Sequence, residues 1–266
     1  MSLAVDPDLL ARGHVRVDLA DAVATVTLDR PDARNAQTPA MWAALASVGA
    51  ALPDDVRVVV LRGSGESFSA GLDRRMLSPE GIPGETSLVE LLGRSDQEIV
   101  DTIGFYQEGF TWLRDPRFVS IAAVQGYAIG AGFQLALSCD LRVVAEDVRF
   151  CMKEPALGLV PDLTGTKPLV AHVGYARALE ICATARYVDA AEAGAIGLAN
   201  RVVPVEQLDA AVTELSTALT ATVAGAVRGT KALLQEAPAR DLAAQCLAER
   251  TEQVARMRDL AALLGG

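Results

Sequence analysis

Apolar positions alternate between short β-branched runs and longer stretches of helical composition through the first 200 residues. AVATVTL (22–28) and VRVVVLR (56–62) have the composition of strands covered on both faces. Between them, AQTPAMWAALASVGAAL (36–52) has the length and make-up of a helix. PRFVSIAAVQG (116–126) reads as a further buried strand, AGFQLALSC as a short helix, and LRVVA (141–145) as the next strand. This β/α order predicts a layered core built on a parallel sheet. The pattern changes after RVVP (201–204), where Leu208, Val212, Leu215 and Leu219 recur at three- and four-residue steps, an amphipathic helical stripe. Two more helical stretches follow. The chain therefore divides into a core over residues 1–204 and a helical region over 205–266, whose apolar faces fit packing on a second subunit as well as on its own core. Residues 78–95 mix Gly, Pro and charge and read as a loop carrying a short helix.

Composition narrows the function. Hydrophobic residues make up 51% of 266 residues, which excludes a disordered chain, and aromatics are only 5%, so the core is aliphatic. The net charge of −10 argues against a nucleic-acid partner, whose phosphates need clustered Lys and Arg, but leaves room for one local basic patch. No run of 18 apolar residues marks a membrane span and no basic-then-apolar leader opens the chain, so a cytoplasmic protein is expected. Cys139, Cys151, Cys182 and Cys246 lack metal or disulfide spacing and read as buried thiols. His14 and His172 are the only histidines, too few for a metal site or a triad without a GxSxG elbow. There is no GxxxxGK[ST] phosphate loop.

What remains is a pair of Gly-rich turns beside strands. SFSAGLD (67–73) follows one strand, and GYAIGAGFQLALSCD (126–140) follows another and opens a helix. Each turn can offer one free backbone N–H, and two such donors can hold a developing oxyanion; tight strand–helix packing alone would also call for these glycines. The carboxylates Glu154 and Asp162 lie downstream. Trp42 and Trp112 read as packing residues, Asp140 as a backbone anchor, and Phe105, Tyr106 and Phe110 fit either a ligand pocket or helix packing.

The order RPDARNA (30–36), SFSAGLD, residues 116–150, GLVPDLTGT (158–166) and AEAGAIGLANRVVP (191–204) resembles the enoyl-CoA hydratase/isomerase (crotonase) superfamily over about residues 15 to 260. The resemblance implies an α/β spiral of β/β/α units and a C-terminal helical region that assembles trimers or hexamers. It implies an acyl-CoA thioester substrate, with coenzyme A as part of the substrate and no separate cofactor or metal. The oxyanion amides would be those of Leu72 and Ala131. The CoA nucleotide would lie along the first two turns, touched by Arg34, Ala70, Asp73 and Arg75. Hydratases of the superfamily carry two glutamates; the first position here is Gln134 and the second is Glu154, 20 residues on (154 − 134). Gln134 can orient a water but cannot take its proton, and one carboxylate suffices for a double-bond shift. The pattern therefore implies a Δ3 to Δ2 enoyl-CoA isomerase with Glu154 as base. Asp162 stands where other members carry an acid, and its place after Pro also suits a turn. A dehalogenase would need a histidine between His14 and His172. A single-glutamate hydratase and a non-catalytic acyl-CoA binder are the alternatives.

Overall fold

In a computed structural model, residues 3–264 are described. Helix α1 (Pro7–Arg12) leads into strands β1 (Val15–Ala20) and β2 (Val23–Leu28), then α2 (Pro39–Ala51) and β3 (Val58–Gly63). The 78–95 segment carries α3 (Leu88–Leu92) and is followed by α4 (Asp96–Thr111). Next come β4 (Val119–Val124), β5 (Tyr127–Ile129), α5 (Ala131–Ser138), β6 (Leu141–Ala145) and β7 (Arg149–Cys151). Helices α6 (Thr166–Val173) and α7 (Tyr175–Thr184), strand β8 (Val188–Asp189), α8 (Ala190–Ala195) and β9 (Arg201–Val203) complete the core. Three helices close the chain: α9 (Leu208–Ala221), α10 (Ala224–Glu236) and α11 (Leu242–Leu264).

Six strands form one sheet in the order β1-β2-β3-β4-β6-β9, and β5-β7-β8 form a second. Only the β1–β2 pair of the larger sheet is antiparallel. The chain passes from large sheet to small sheet to helix and back: β4 to β5 to α5, then β6 to β7 to α6. Ser69, bridged in parallel to Ala128, takes the small-sheet place in the turn begun by β3. These are repeated β/β/α units of a spiral. Pattern reading misses β1, an edge strand that carries Arg16 and Asp18 and is exposed at alternate positions. It also misses all three small-sheet strands, because two- and three-residue strands are too short to show a period.

The middle strands of the larger sheet, β3, β4 and β6, are buried on both faces, as their unbroken apolar runs require. Val59, Leu61, Ala122 and Val144 face the main core, with α2, α4 and α5. Their neighbours Val58, Val60, Ile121 and Val143 face α9. Leu208 and Val212 are buried there, with Leu215 and Leu219 packed beside them. The α9 stripe is thus covered by its own sheet, one of the two packings its apolar face allows. Exposed apolar residues of the tail include Val223 at the start of α10, Leu234 on it and, in greater number, Leu242, Leu247, Val254, Met257 and Leu260 of α11.

Buried polar contacts tie the tail to the core. Lys231 of α10 donates to Asp140 Oδ2, Asp115 O and Phe118 O, each at 2.7 Å. Asp140 also accepts from the Ser120 amide at 2.8 Å, so it anchors backbone as expected. Trp42 stacks on Tyr106 with centroids 4.8 Å apart and on Phe110 at 6.1 Å. Trp42 and Phe110 are packing residues, while Tyr106 and the exposed Phe105 also line a cavity between α2 and α4. Cys139 and Cys151 are buried and Cys182 is half-buried, but Cys246 is exposed. The last corrects the expectation of four buried thiols: Cys246 sits on α11, which has little of its own chain to pack against.

Candidate active site

Two turns meet at the centre of the site. The Gln37 amide donates to Gly71 O at 2.7 Å and the Asp73 amide to Gln37 O at 2.9 Å, so the Leu72 N–H between them points away from this ladder. It has no partner among the described residues. Gly71 has φ +84°, and a Cβ there would lie 2.4 Å from Ile129 O and 3.5 Å from the Ala131 nitrogen. Only glycine permits this approach. The first helical residue of α5 is Ala131, whose N–H has no intrahelical acceptor. The two expected oxyanion donors are therefore neighbours, and both amides are free.

Glu154 comes to the same place. It opens a short 3-10 turn after β7, and its Oε1 lies 3.1 Å from where a Cβ on Gly130 would sit. Gly130 is the N-cap of α5, at φ +51°, so a side chain here would meet both backbone strain and the carboxylate. Gln134, fully buried on α5, donates its Nε2 to Glu154 Oε1 at 2.7 Å. Gln134 Oε1 accepts from the Leu163 and Gly165 amides at 2.9 and 3.2 Å. Glu154 Oε2 is buried and has no partner among the described residues. Burial pushes the Glu154 carboxyl above its ordinary range, the Gln134 bond opposes this, and the nearby Asp162 charge adds to the rise. Burial raises Asp162 as well. The Asp162 carbonyl accepts from Gln107 of α4 at 2.6 Å, which fixes this loop beside the site.

The proposed nucleotide residues lie around the outer turns. The Ala70 amide donates to Arg34 O at 2.8 Å, joining the two motifs. Arg34 sits over the Tyr127 ring, 5.5 Å from its centroid. Asp73 holds Arg30 at 2.8 Å and Arg75 at 2.9 Å, and these guanidinium groups keep its carboxyl well below the usual range. The Asp73 carboxylate thus faces two arginines, a role that sequence reading did not foresee. A cavity of about 870 Å³ between α2, α4 and the 82–86 loop has Arg30 and Arg75 on its wall.

A buried acid with one free oxygen, set beside two free amides, is an arrangement for moving a proton next to a polarised carbonyl. Its relatives agree. The sequence model of the enoyl-CoA hydratase/isomerase family matches residues 18–259, and the chain belongs to that family. Among individual relatives, a Mycobacterium bovis protein assigned as an enoyl-CoA hydratase is 31% identical over 242 residues, 89% of this chain and 86% of that protein. The peroxisomal Δ(3,5)-Δ(2,4)-dienoyl-CoA isomerase of Arabidopsis thaliana is 36% identical over 181 residues, 68% of this chain and 64% of its own. A Thermobifida fusca protein assigned as an enoyl-CoA hydratase, solved with acetoacetyl-CoA, is 50% identical with a TM-score of 0.93, covering 96% and 99% of the two chains. The same protein has also been solved with CoA, at a TM-score of 0.92 over 97% and 98%. The chain is thus an acyl-CoA enzyme of the crotonase superfamily with its α/β fold.

Proposed function

We propose that this enzyme shifts a double bond of an enoyl-CoA from the 3,4 to the 2,3 position. The observation that carries the reading is the state of Gln134. Its oxygen already takes two backbone donors and its nitrogen already holds Glu154. Hydration needs a water oriented by acceptors and relieved of a proton, and Gln134 has no acceptor left to offer. Glu154 is the acid with a free oxygen beside the two amides. The thioester oxygen sits on the Leu72 and Ala131 amides. Glu154 Oε2 takes a proton from carbon 2, and the electrons spread through the dienolate. The same oxygen returns the proton to carbon 4, so the base is regenerated and no proton is consumed. Asp162 assists by raising the proton affinity of Glu154, or replaces it as base. The CoA phosphates meet Arg34 and Arg75, in keeping with the CoA and acetoacetyl-CoA complexes of the Thermobifida fusca relative. Trimers or hexamers form through the apolar residues of α11.

The test is side-by-side turnover of a 3-enoyl-CoA and a 2-enoyl-CoA, followed by the absorbance of the conjugated thioester, with CoA binding measured by calorimetry. Faster conversion of the 3-enoyl substrate supports the reading. Hydration of the 2-enoyl substrate outpacing isomerisation would replace it with the hydratase reading that the bacterial relatives' names favour. Binding without either turnover would make the protein a carrier.

A further inference from the structure

The loop that follows Asp162 makes an unusual turn. Thr164 has φ +71°, a left-handed conformation that β-branched residues rarely take and that costs backbone energy. Its effect is local and specific. The amides on either side, Leu163 and Gly165, converge on one atom, Gln134 Oε1. The turn is tied to α5 a second time, because Thr164 Oγ1 lies 3.2 Å from Ser138 Oγ, which donates to Gln134 O at 3.0 Å. A Cβ on Gly165 would lie 2.7 Å from Gln134 Cγ, so the turn presses directly on the glutamine. A carboxamide oxygen that takes two donors cannot exchange places with its nitrogen without leaving two buried N–H groups unpaired. Nε2 must then face Glu154.

We propose that Gln134, locked by the left-handed turn at Thr164, is a positioning residue that binds one oxygen of Glu154 and leaves Oε2 as the one that exchanges protons with substrate. The turn also carries Asp162, so one strained element sets both acids. The identity of the proton moved rests on the isomerase reading; the lock itself does not.

A titration without substrate tests it. Infrared spectra of the whole protein labelled with 13C-glutamate, with Glu154→Gln to assign the band, follow ionisation of this one carboxyl. Replacing Gln134 by Met keeps the volume and removes the donor to the carboxylate. The titration should then move to higher pH by about one unit or more, the effect of losing a hydrogen bond to a charged group. Thr164→Pro, which cannot hold a positive φ, should move it in the same direction. Thr164→Gly, which can, should keep it near the wild-type position. An unshifted titration in Gln134→Met overturns the proposal. If that variant does not fold, the wild-type Gln134 carboxamide is read by NMR: Nε2 protons protected from exchange with solvent support the lock, and exchange as fast as that of an exposed glutamine overturns it. A shifted titration in an enzyme with no isomerase activity would uphold the lock and refute the functional reading.

Discussion

Restoring the second acid by Gln134→Glu is the most informative single change. One oxygen of the new side chain keeps the Leu163 and Gly165 amides. The other replaces a donor that lies 2.7 Å from Glu154 Oε1. Two carboxylates at 2.7 Å repel by about 6 kcal/mol at an effective dielectric of about 20. That energy exceeds several pKa units at about 1.4 kcal/mol each, and relaxation of the loop will recover part of it. The pair therefore holds one shared proton through neutral pH. Isomerisation at pH 7 should fall at least ~10-fold, and the rise of kcat/KM with pH should move upward by two or more units, on the order set by this repulsion. Hydration of a 2-enoyl-CoA should appear or increase only as the pair parts to admit a water. Full pH–rate profiles on both substrates measure these outcomes. A profile for isomerisation unchanged from wild type would show that Gln134 does not touch the base, and the site geometry would be wrong.

The remaining predictions concern stability and assembly. Lys231→Met removes the ammonium that bonds the half-buried Asp140 carboxylate and the Asp115 and Phe118 carbonyls, while Ser120 still holds Asp140. It should cost about 1–3 kcal/mol in chemical denaturation; no measurable loss would mean that the α10 anchor is dispensable. The His172 imidazole sits against Arg142 at 2.9 Å and is held down to about 4 by burial and that cation. It is neutral when folded and gains a proton on unfolding, so stability should decline as pH falls from 6.5 toward 4, and His172→Gln should flatten that window. Light scattering should find a trimer or a multiple of three, reduced to smaller species by Leu247→Asp with Met257→Asp on α11; a wild-type monomer at micromolar concentration would remove the assembly proposal.

Apart from the edge strand β1, the large-sheet strands and the tail helices are legible in the sequence because their burial is one-dimensional: a continuous apolar run or a 3.6-residue stripe. The small sheet is not, since Tyr127–Ile129 and Val188–Asp189 gain their strand character only from partners far along the chain. At the site, Leu72, Ala131, Gln134 and Glu154 are found by motif and spacing, and the structure brings all four together. What each atom of Gln134 does is not legible. It depends on the left-handed backbone of Thr164, and nothing in the residue type threonine announces that conformation. The partnership of Asp73 with both Arg30 and Arg75 is hidden for a similar reason, because Arg30 arrives from 43 residues away. The α9 stripe shows the converse limit. Periodicity reports that a face is covered, and only the fold tells whether the cover is the chain's own sheet or another subunit.

The assignment of the proton to Glu154 is tested by comparing Glu154→Gln and Asp162→Asn with wild type in the turnover of a 3-enoyl-CoA. Glu154→Gln keeps the shape of the side chain and removes the base. Turnover should fall at least ~100-fold, the scale of a lost general base, with binding of the thioester retained. Asp162→Asn should cost less and should lower the pH at which activity rises, because the charge that lifts Glu154 is gone. Retained turnover in Glu154→Gln with collapse in Asp162→Asn would place the proton on the other loop and contradict the account.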